Sequence, residues 1–256
     1  MSTPHSVLIT GANRGLGLGL GLVKYLLTSD PRPHHVIATS RSLGGESSKE
    51  LEELAAKESC LTVLQLNVDN PATFPVVVEK VDTIVQEHSL NVLINNAGIF
   101  LKKGIDDVTT EDMLQSFGTN TIGPLMLTKA FLPLLKRAAS HASDKPPGWQ
   151  RAVVINMSSL LASISDNQGG SLYGYRSSQT ALNAITKSLS IDLVKDGIIT
   201  CSVDPGWMKT DMGGPDGLLT VEAAADNMLK LLGTLDQSYS GGFLKYVQGA
   251  ITRLDY

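Results

Sequence analysis

The chain has 256 residues, of which 42% are hydrophobic and 18% charged, so it can form one large α/β domain with a substantial core over residues 1–256. Its formal net charge of −4 and its lack of lysine- or arginine-rich runs argue against a nucleic-acid partner. Two cysteines are too few for a disulfide framework, and no signal sequence or bilayer-length apolar run occurs, which predicts a soluble, cytoplasmic protein without membrane contact.

Short apolar runs alternate with longer amphipathic segments, which is typical of βα units around a parallel sheet. Several of the runs are continuously apolar, as in strands that are covered on both faces. The predicted strands are 6–10, 36–39, 62–66, 92–95, 152–156, 199–203 and 243–247. The predicted helices are 18–28, 47–56, 74–87, 110–139, 173–195 and 221–232. The sequence therefore predicts a single doubly wound, Rossmann-type α/β domain, with a central parallel sheet of about seven strands flanked by helices.

Three predicted loops, 99–109, 160–172 and 206–219, are long for simple connectors. Each follows the carboxyl end of a predicted strand, where open parallel sheets bind their ligands. We interpret them as loops around a binding site, although flexible surface excursions are the alternative.

A glycine-spaced turn joins the first predicted strand to the first predicted helix. Glycines let the chain turn sharply and let a pyrophosphate approach the amino end of the helix, whose free N–H groups favour anions. We interpret the turn as a dinucleotide-binding loop, and a purely structural turn is the alternative. The glycine–leucine repeat at 15–22 lowers the intrinsic stability of the first turns of the predicted helix, since each helical glycine costs about 1 kcal/mol relative to alanine. The loop residues are Gly11, Asn13, Arg14, Gly15, Leu16 and Gly17.

The end of the second predicted strand indicates which dinucleotide binds. NAD-binding domains place a carboxylate there for the ribose 2′-hydroxyl, but residues 38–41 of this chain read Ala-Thr-Ser-Arg. Arg14 and Arg41 together could hold the 2′-phosphate of NADP, although either arginine alone could be a solvated surface charge. The pattern favours NADPH over NADH, and the missing carboxylate also argues against a methyltransferase.

Several motifs in order along the chain carry a family resemblance. They are Thr10-Gly11-x-x-x-Gly15-x-Gly17, Asn95-Asn96-Ala97-Gly98, Asn120, Ser158-Ser159, Tyr175 and Pro205-Gly206. Together they resemble the short-chain dehydrogenase/reductase family over essentially the whole chain. Gly-Ala-Asn-Arg-Gly at 11–15, the long loop before Tyr175 and the segment 205–214 are most similar to its sniffer-type, C-factor-like carbonyl reductases. That resemblance implies NADPH-dependent reduction of small aldehydes, ketones or quinones by hydride transfer.

The resemblance also implies cofactor-binding residues. Asn96, Ala97 and Gly98 would line the adenine–ribose side. At 67–68 the family has an aspartate first, where this chain has Asn67-Val68, and the Asn67 side chain still offers a carbonyl oxygen. The nicotinamide end would be held by Pro205, Gly206, Met208 and Thr210, together with Tyr175 and Gln179.

The resemblance implies that Tyr175 is the general acid and that Ser159 donates a hydrogen bond to the substrate oxygen. Asn120 would anchor a water in the proton relay. Ser158 and Tyr173 are the local competitors. A purely structural role is the alternative for these residues, since the serines could cap the loop and Asn120 could be an ordinary helix residue.

Gln179, one helical turn after Tyr175, stands where the family has a lysine. A cation about 5 Å away at an effective dielectric of about 20 contributes about 3 kcal/mol, or about two pKa units. Glutamine can hydrogen-bond a ribose but cannot supply this charge, and Arg176 lies about 100° round the helix. We therefore expect slowed carbonyl reduction and a larger loss of alcohol oxidation, which needs the phenolate.

Two other interpretations of Gln179 stay open. The chain could be a catalytically silent NADP(H)-binding module with a partner or regulatory role, or glutamine could be an engineered change or a sequence variant. An apolar substrate pocket is expected from Phe100, Leu160, Tyr173, Trp207 and Met208, which could equally be core or lid packing. The resemblance further implies a homodimer or tetramer formed through helices 110–139 and 173–195.

Overall fold

Over residues 3–13 and 17–256, which the computed structural model describes, eight strands form one sheet in the order β3-β2-β1-β4-β5-β6-β7-β8. All neighbouring strands are parallel except the last pair, β7 and β8. Strand order reverses direction between β1 and β4, which is the switch point of a doubly wound sheet. The strands are β1 Ser6–Ile9, β2 His35–Ser40, β3 Leu61–Gln65, β4 Val92–Asn95, β5 Val153–Met157, β6 Ile199–Val203, β7 Phe243–Val247 and β8 Ala250–Arg253.

Seven α-helices accompany the sheet in the same described ranges. They are α1 Leu18–Thr28, α2 Lys49–Ala55, α3 Phe74–Val85, α4 Thr110–Phe117, α5 Gly123–His141, α6 Tyr173–Asp192 and α7 Val221–Thr234. None of these helices combines the length and the apolar character needed to cross a membrane. The predicted α/β class, with helices flanking a mostly parallel sheet, is confirmed.

The core lies on both faces of the sheet. Alternate residues of β1 point to opposite sides, so that Val7 and Ile9 join the apolar cluster under α1 and α7, while Leu8 joins the cluster under α3 and α5. Strands covered in this way have no polar face, which explains why their sequences are continuously apolar.

The predicted sheet of about seven strands lacks β8. This strand returns antiparallel to β7 through a two-residue turn, Gln248-Gly249, in which both residues have positive φ, 51° and 85°. Gln-Gly is a weaker hairpin signal than Asn-Gly or Asp-Gly, and β8 lies at the sheet edge with a mostly exposed, non-alternating sequence. Its pattern therefore does not indicate a strand.

The single helix predicted at 110–139 is instead two helices, α4 and α5, joined by a π-helical turn at Gly118–Ile122. Pro124 explains part of the interruption, because it has no N–H to donate to the Asn120 carbonyl one α-helical turn before it. π-turns of this kind insert an extra residue into the helix and often occur at functional sites. Here the inserted turn carries Asn120.

Candidate active site

A cleft of about 1120 Å³ opens at the carboxyl ends of the central strands, on either side of the β1–β4 switch point. Residues from all three long loops line it, together with residues that follow β1, β2 and β3. Examples from the loops are Phe100, Leu160 and Trp207. The cleft thus lies where open parallel sheets bind ligands.

At one end of the cleft, the turn after β1 is tied to the segment after β4. Thr10 Oγ1 accepts hydrogen bonds from the backbone N–H groups of Asn96 and Ala97, at 3.0 and 2.9 Å. The Asn96 side chain donates to the carbonyls of Thr10 and Gly11, at 2.8 and 3.2 Å. Gly11 has a φ of +65°, and a Cβ there would lie 2.9 Å from the Ala97 Cα. These contacts hold the turn open for a ligand, with Gly11, Asn96, Ala97 and Gly98 on the cleft wall.

The glycine–leucine repeat also has a packing role in its described part. A Cβ on Gly19 would lie 2.7 Å from Asn96 Nδ2 and 2.8 Å from the Gly11 carbonyl oxygen. Gly21 faces α7, where Val221 leaves no room for a Cβ. Both glycines therefore let α1 approach its neighbours closely. Of the predicted loop residues, Asn13 and Gly17 line the cleft, while Arg14, Gly15 and Leu16 lie outside the described residues.

Arg41 and the segment after β3 border the same end of the cleft. Arg41 is exposed, and no carboxylate of residues 3–13 or 17–256 lies within ion-pair distance of its guanidinium. Val68 and Asn67 line the wall beside it. Asn67 Oδ1 already accepts from the Asp69 N–H at 3.2 Å, so one of its two lone pairs serves a local turn.

Tyr175 and Gln179 lie on the first turns of α6, at the other end of the cleft. The Tyr175 side chain is buried, and the edge of its ring contacts Phe100 with a centroid separation of 4.5 Å. Tyr173 is 41% exposed and is not among the residues that line the cleft. The cleft therefore presents Tyr175, not Tyr173, to a bound molecule.

The two neighbouring serines after β5 use their hydroxyls differently. Ser158 Oγ donates to the buried Asn183 Oδ1 at 2.8 Å. Ser159 Oγ accepts from the Leu161 N–H at 3.2 Å, as the cap of a short 3-10 turn. This contact does not use the Ser159 proton, which can therefore be donated to the Tyr175 phenol or to a ligand in the cleft.

Asn120 is buried in the π-turn, and both polar atoms of its side chain form hydrogen bonds with protein partners. Oδ1 accepts from the Ile99 N–H at 2.9 Å, while Nδ2 donates to the Ile99 carbonyl and to Ser178 Oγ, at 3.0 and 3.1 Å. The side chain thus joins the loop after β4 to α6. A water at Asn120 would use the second lone pair of Oδ1 or the backbone carbonyl, to which Pro124 cannot donate.

Gln179 is 5% exposed, and its Oε1 has no hydrogen-bond partner among the described residues. A buried carbonyl oxygen without a partner costs free energy, which a donor hydroxyl would recover. Arg176 does not replace the missing cation, because its guanidinium donates to the Gly170 and Leu161 carbonyls, at 3.1 and 3.2 Å.

The surroundings of Tyr175 make its phenol a weaker acid than a free tyrosine. Burial raises the pKa of the Tyr175 phenol, hydrogen bonding from Ser159 and Gln179 opposes this rise, and the Asp204 carboxylate adds to it. The neutral phenol is therefore the favoured form, and the phenolate is disfavoured.

Two residues of this site were missed from the sequence. Asp204, at the end of β6, and Lys245, on β7, both line the cleft and form an ion pair with 3.0 Å between Asp204 Oδ2 and Lys245 Nζ. An aspartate directly before Pro205-Gly206 and a lysine within an apolar strand were the available signals. The predicted nicotinamide-end residues Pro205, Gly206, Met208 and Thr210 line the adjoining wall.

Comparison with known proteins agrees with this architecture. A model of the short chain dehydrogenase family matches residues 5–217. The carbonyl reductase Sniffer of D. melanogaster is 43% identical, with a TM-score of 0.94 over 99% of this chain and 100% of that one. An NADPH-bound carbonyl reductase from chicken fatty liver is 39% identical, with a TM-score of 0.92 over 99% of this chain and 100% of that one.

The chain belongs to the short-chain dehydrogenase/reductase family of oxidoreductases. Among curated relatives, the C-signal protein of Myxococcus xanthus is 37% identical over 158 residues, which are 61% of this chain and 89% of that protein. The predicted similarity to sniffer-type carbonyl reductases is confirmed.

Proposed function

We propose that this chain is an NADP(H)-dependent reductase of small carbonyl compounds, slowed by Gln179 in place of a lysine. One observation carries the proposal: the Tyr175 phenol and the Ser159 hydroxyl lie together in the cleft, next to the Gln179 Oε1, which has no hydrogen-bond partner in the described part of the chain. Family membership and the carbonyl reductases of similar structure support it.

The residues of the cleft fit a nicotinamide dinucleotide. The orphaned Gln179 Oε1 would accept from a ribose hydroxyl, and the turn after β1 would face the pyrophosphate. Arg41, exposed and without a carboxylate partner in the described ranges, is suited to a 2′-phosphate. NADPH supplies the hydride when it is bound.

The protein side of the reaction is polarisation and proton transfer. The Ser159 O–H would donate to the substrate carbonyl oxygen, and the Tyr175 phenol would protonate that oxygen as negative charge develops on it. Because the pKa of Tyr175 is raised, the phenol stays protonated at neutral pH, as reduction requires. The reverse oxidation, which needs the phenolate, is disfavoured.

The substrate end of the cleft is apolar and aromatic. Phe100, Leu160, Trp207 and Met208 line it, and Trp207 is 52% exposed at its rim. A flat aromatic or lipid-derived carbonyl compound fits such a wall. Isatin, quinones and 4-oxo-alkenals are therefore the test substrates.

Turnover of NADPH with this panel tests the proposal, with Tyr175→Phe as the matched variant. We expect slow NADPH oxidation by the unmodified chain and a loss of about 100-fold or more in the variant, with unchanged NADPH affinity, because the phenol is the acid. Tight NADPH binding with no reduction by either protein would instead establish the catalytically silent binding module.

We also propose that the chain forms a homodimer or tetramer in the cytoplasm through the helices α4, α5 and α6. Large apolar side chains are exposed on this side: Leu114 on α4 is 67% exposed, Ile122 in the π-turn 52% and Ile191 on α6 62%. Light scattering after size exclusion measures the mass, and a monomer at micromolar concentration would contradict this part of the proposal.

A further inference from the structure

The Asp204–Lys245 ion pair lies beside the reacting groups. Asp204 is 5% exposed, and its Oδ1 accepts from the Leu160 N–H at 3.2 Å. Leu160 directly follows Ser159, so this bond fixes the backbone from which the Ser159 hydroxyl projects. A buried carboxylate needs compensation, and Lys245 supplies it from the neighbouring strand, at 3.0 Å.

The groups around the Tyr175 phenol come from four elements. α6 contributes Gln179, and the loop after β5 contributes Ser159. The loop after β4 contributes Phe100, and the Lys102 Nζ lies over the Phe100 ring, 5.5 Å from its centroid. The residue after β6 contributes the Asp204 carboxylate, whose negative charge raises the pKa of the Tyr175 phenol.

We propose that Asp204 is a positioning residue of the reductase, which holds the Ser159–Leu160 backbone in place, and that Lys245 limits the effect of its charge on Tyr175. This inference rests on the proposed function and adds a part to the same site. Gln179 is neutral where the family pattern has a lysine, so it adds no positive charge beside Tyr175 to oppose the Asp204 carboxylate.

The effect of the Asp204–Lys245 pair on the titration of Tyr175 can be measured without cofactor and without turnover. Protein labelled with 3-fluorotyrosine, whose phenol is more acidic than that of tyrosine, is titrated by ¹⁹F NMR, and the Tyr175 resonance is identified by its loss in Tyr175→Phe. Asp204→Asn removes a negative charge and should lower the titration midpoint of Tyr175. Lys245→Gln leaves the Asp204 charge uncompensated and should raise it.

Asp211→Asn is the matched control, because it removes the charge of another carboxylate that lines the cleft and that forms no ion pair with Lys245. Its Tyr175 midpoint should stay at the value of the unmodified chain. Shifts in the same direction for Asp204→Asn and Lys245→Gln, or no shift in either, would overturn the role of the charge pair.

Turnover tests the positioning role. Asp204→Ala should lower kcat by about 10- to 100-fold with an unchanged Kd for NADPH, since small misplacements of a reacting group have effects of this size. Asp204→Asn should restore most of the loss, because its amide oxygen can still accept from Leu160. A less than twofold effect of Asp204→Ala would refute the positioning role. If neither the unmodified chain nor Gln179→Lys reduces any carbonyl, the proposed function fails, while the ¹⁹F titration still tests the role of the charge pair.

Discussion

At the scale of single residues, the site shows how neighbouring side chains divide their tasks. Ser158 Oγ donates its proton to Asn183 Oδ1, whereas Ser159 Oγ accepts from the Leu161 N–H and has its own proton to donate to the Tyr175 phenol. Arg176 holds the loop before α6 through two backbone carbonyls. Among the described residues, the cleft therefore combines a phenol whose neutral form is favoured, a hydroxyl donor and an amide oxygen without a hydrogen-bond partner, and the side chain at position 179 carries no charge.

A prediction for Arg41 follows from its lack of a carboxylate partner in the described part of the chain. Arg41→Ala should weaken NADPH binding by about tenfold, since a charge-assisted contact to a phosphate contributes about 1.5 kcal/mol, and should leave NADH binding unchanged. Fluorescence titration measures both. Arg32→Ala is the control, because Arg32 is paired with Glu58. Equal losses for both cofactors would contradict the 2′-phosphate role.

At the scale of elements, the sequence predicted most strands and helices because buried strands and amphipathic helices have strong periodic signals. It could not show the π-turn, because a local register change leaves the apolar pattern around residues 110–139 almost intact. It also could not show the pairing of Asp204 with Lys245, since their contact depends on the β6–β7 alignment. Motif residues were found because their order along the chain resembles a family pattern.

The glycines of α1 give a prediction at this scale. Gly19→Ala should destabilise the fold by about 1–3 kcal/mol, although alanine is the better helix former, because its Cβ would meet backbone atoms of Gly11 and Ala12 at 2.8 and 2.9 Å. Urea unfolding measures the change. Gly45→Ala, with nothing within 4 Å of its Cβ, should stay within about 0.5 kcal/mol. A stabilised Gly19→Ala would show that α1 does not need this close approach.

At the scale of the whole molecule, the sheet has two chemically different edges. The cleft lies at the carboxyl ends of the strands, while four histidines lie together at the amino ends of three adjacent strands. The His5 ring lies 4.5, 5.4 and 4.2 Å, between centroids, from those of His34, His35 and His88. Burial, followed by the charges of His88, His34 and His35, lowers the pKa of His5 to about 4 from an ordinary 6.5.

This cluster predicts a pH dependence of folding stability. Between pH 6.5 and about 4 the unfolded chain binds a proton at His5 that the folded chain does not, so stability falls as the pH falls through this window. The pKa of His35 is also lowered, mainly by burial, and this shift changes the stability in the same direction. His5→Asn should flatten the loss of Tm between pH 7 and 5. His141→Asn, outside these ring contacts, is the control and should keep the full slope.

The central claim is that the missing charge at position 179 limits an otherwise complete reductase site. Its most direct measurement compares NADPH oxidation by the unmodified chain and by Gln179→Lys at neutral pH, with isatin as the substrate. The account predicts slow turnover by the unmodified chain and an increase of about tenfold or more in kcat for the variant, with a larger gain in alcohol oxidation. A lysine variant that folds and binds NADPH but is no faster in either direction would contradict it.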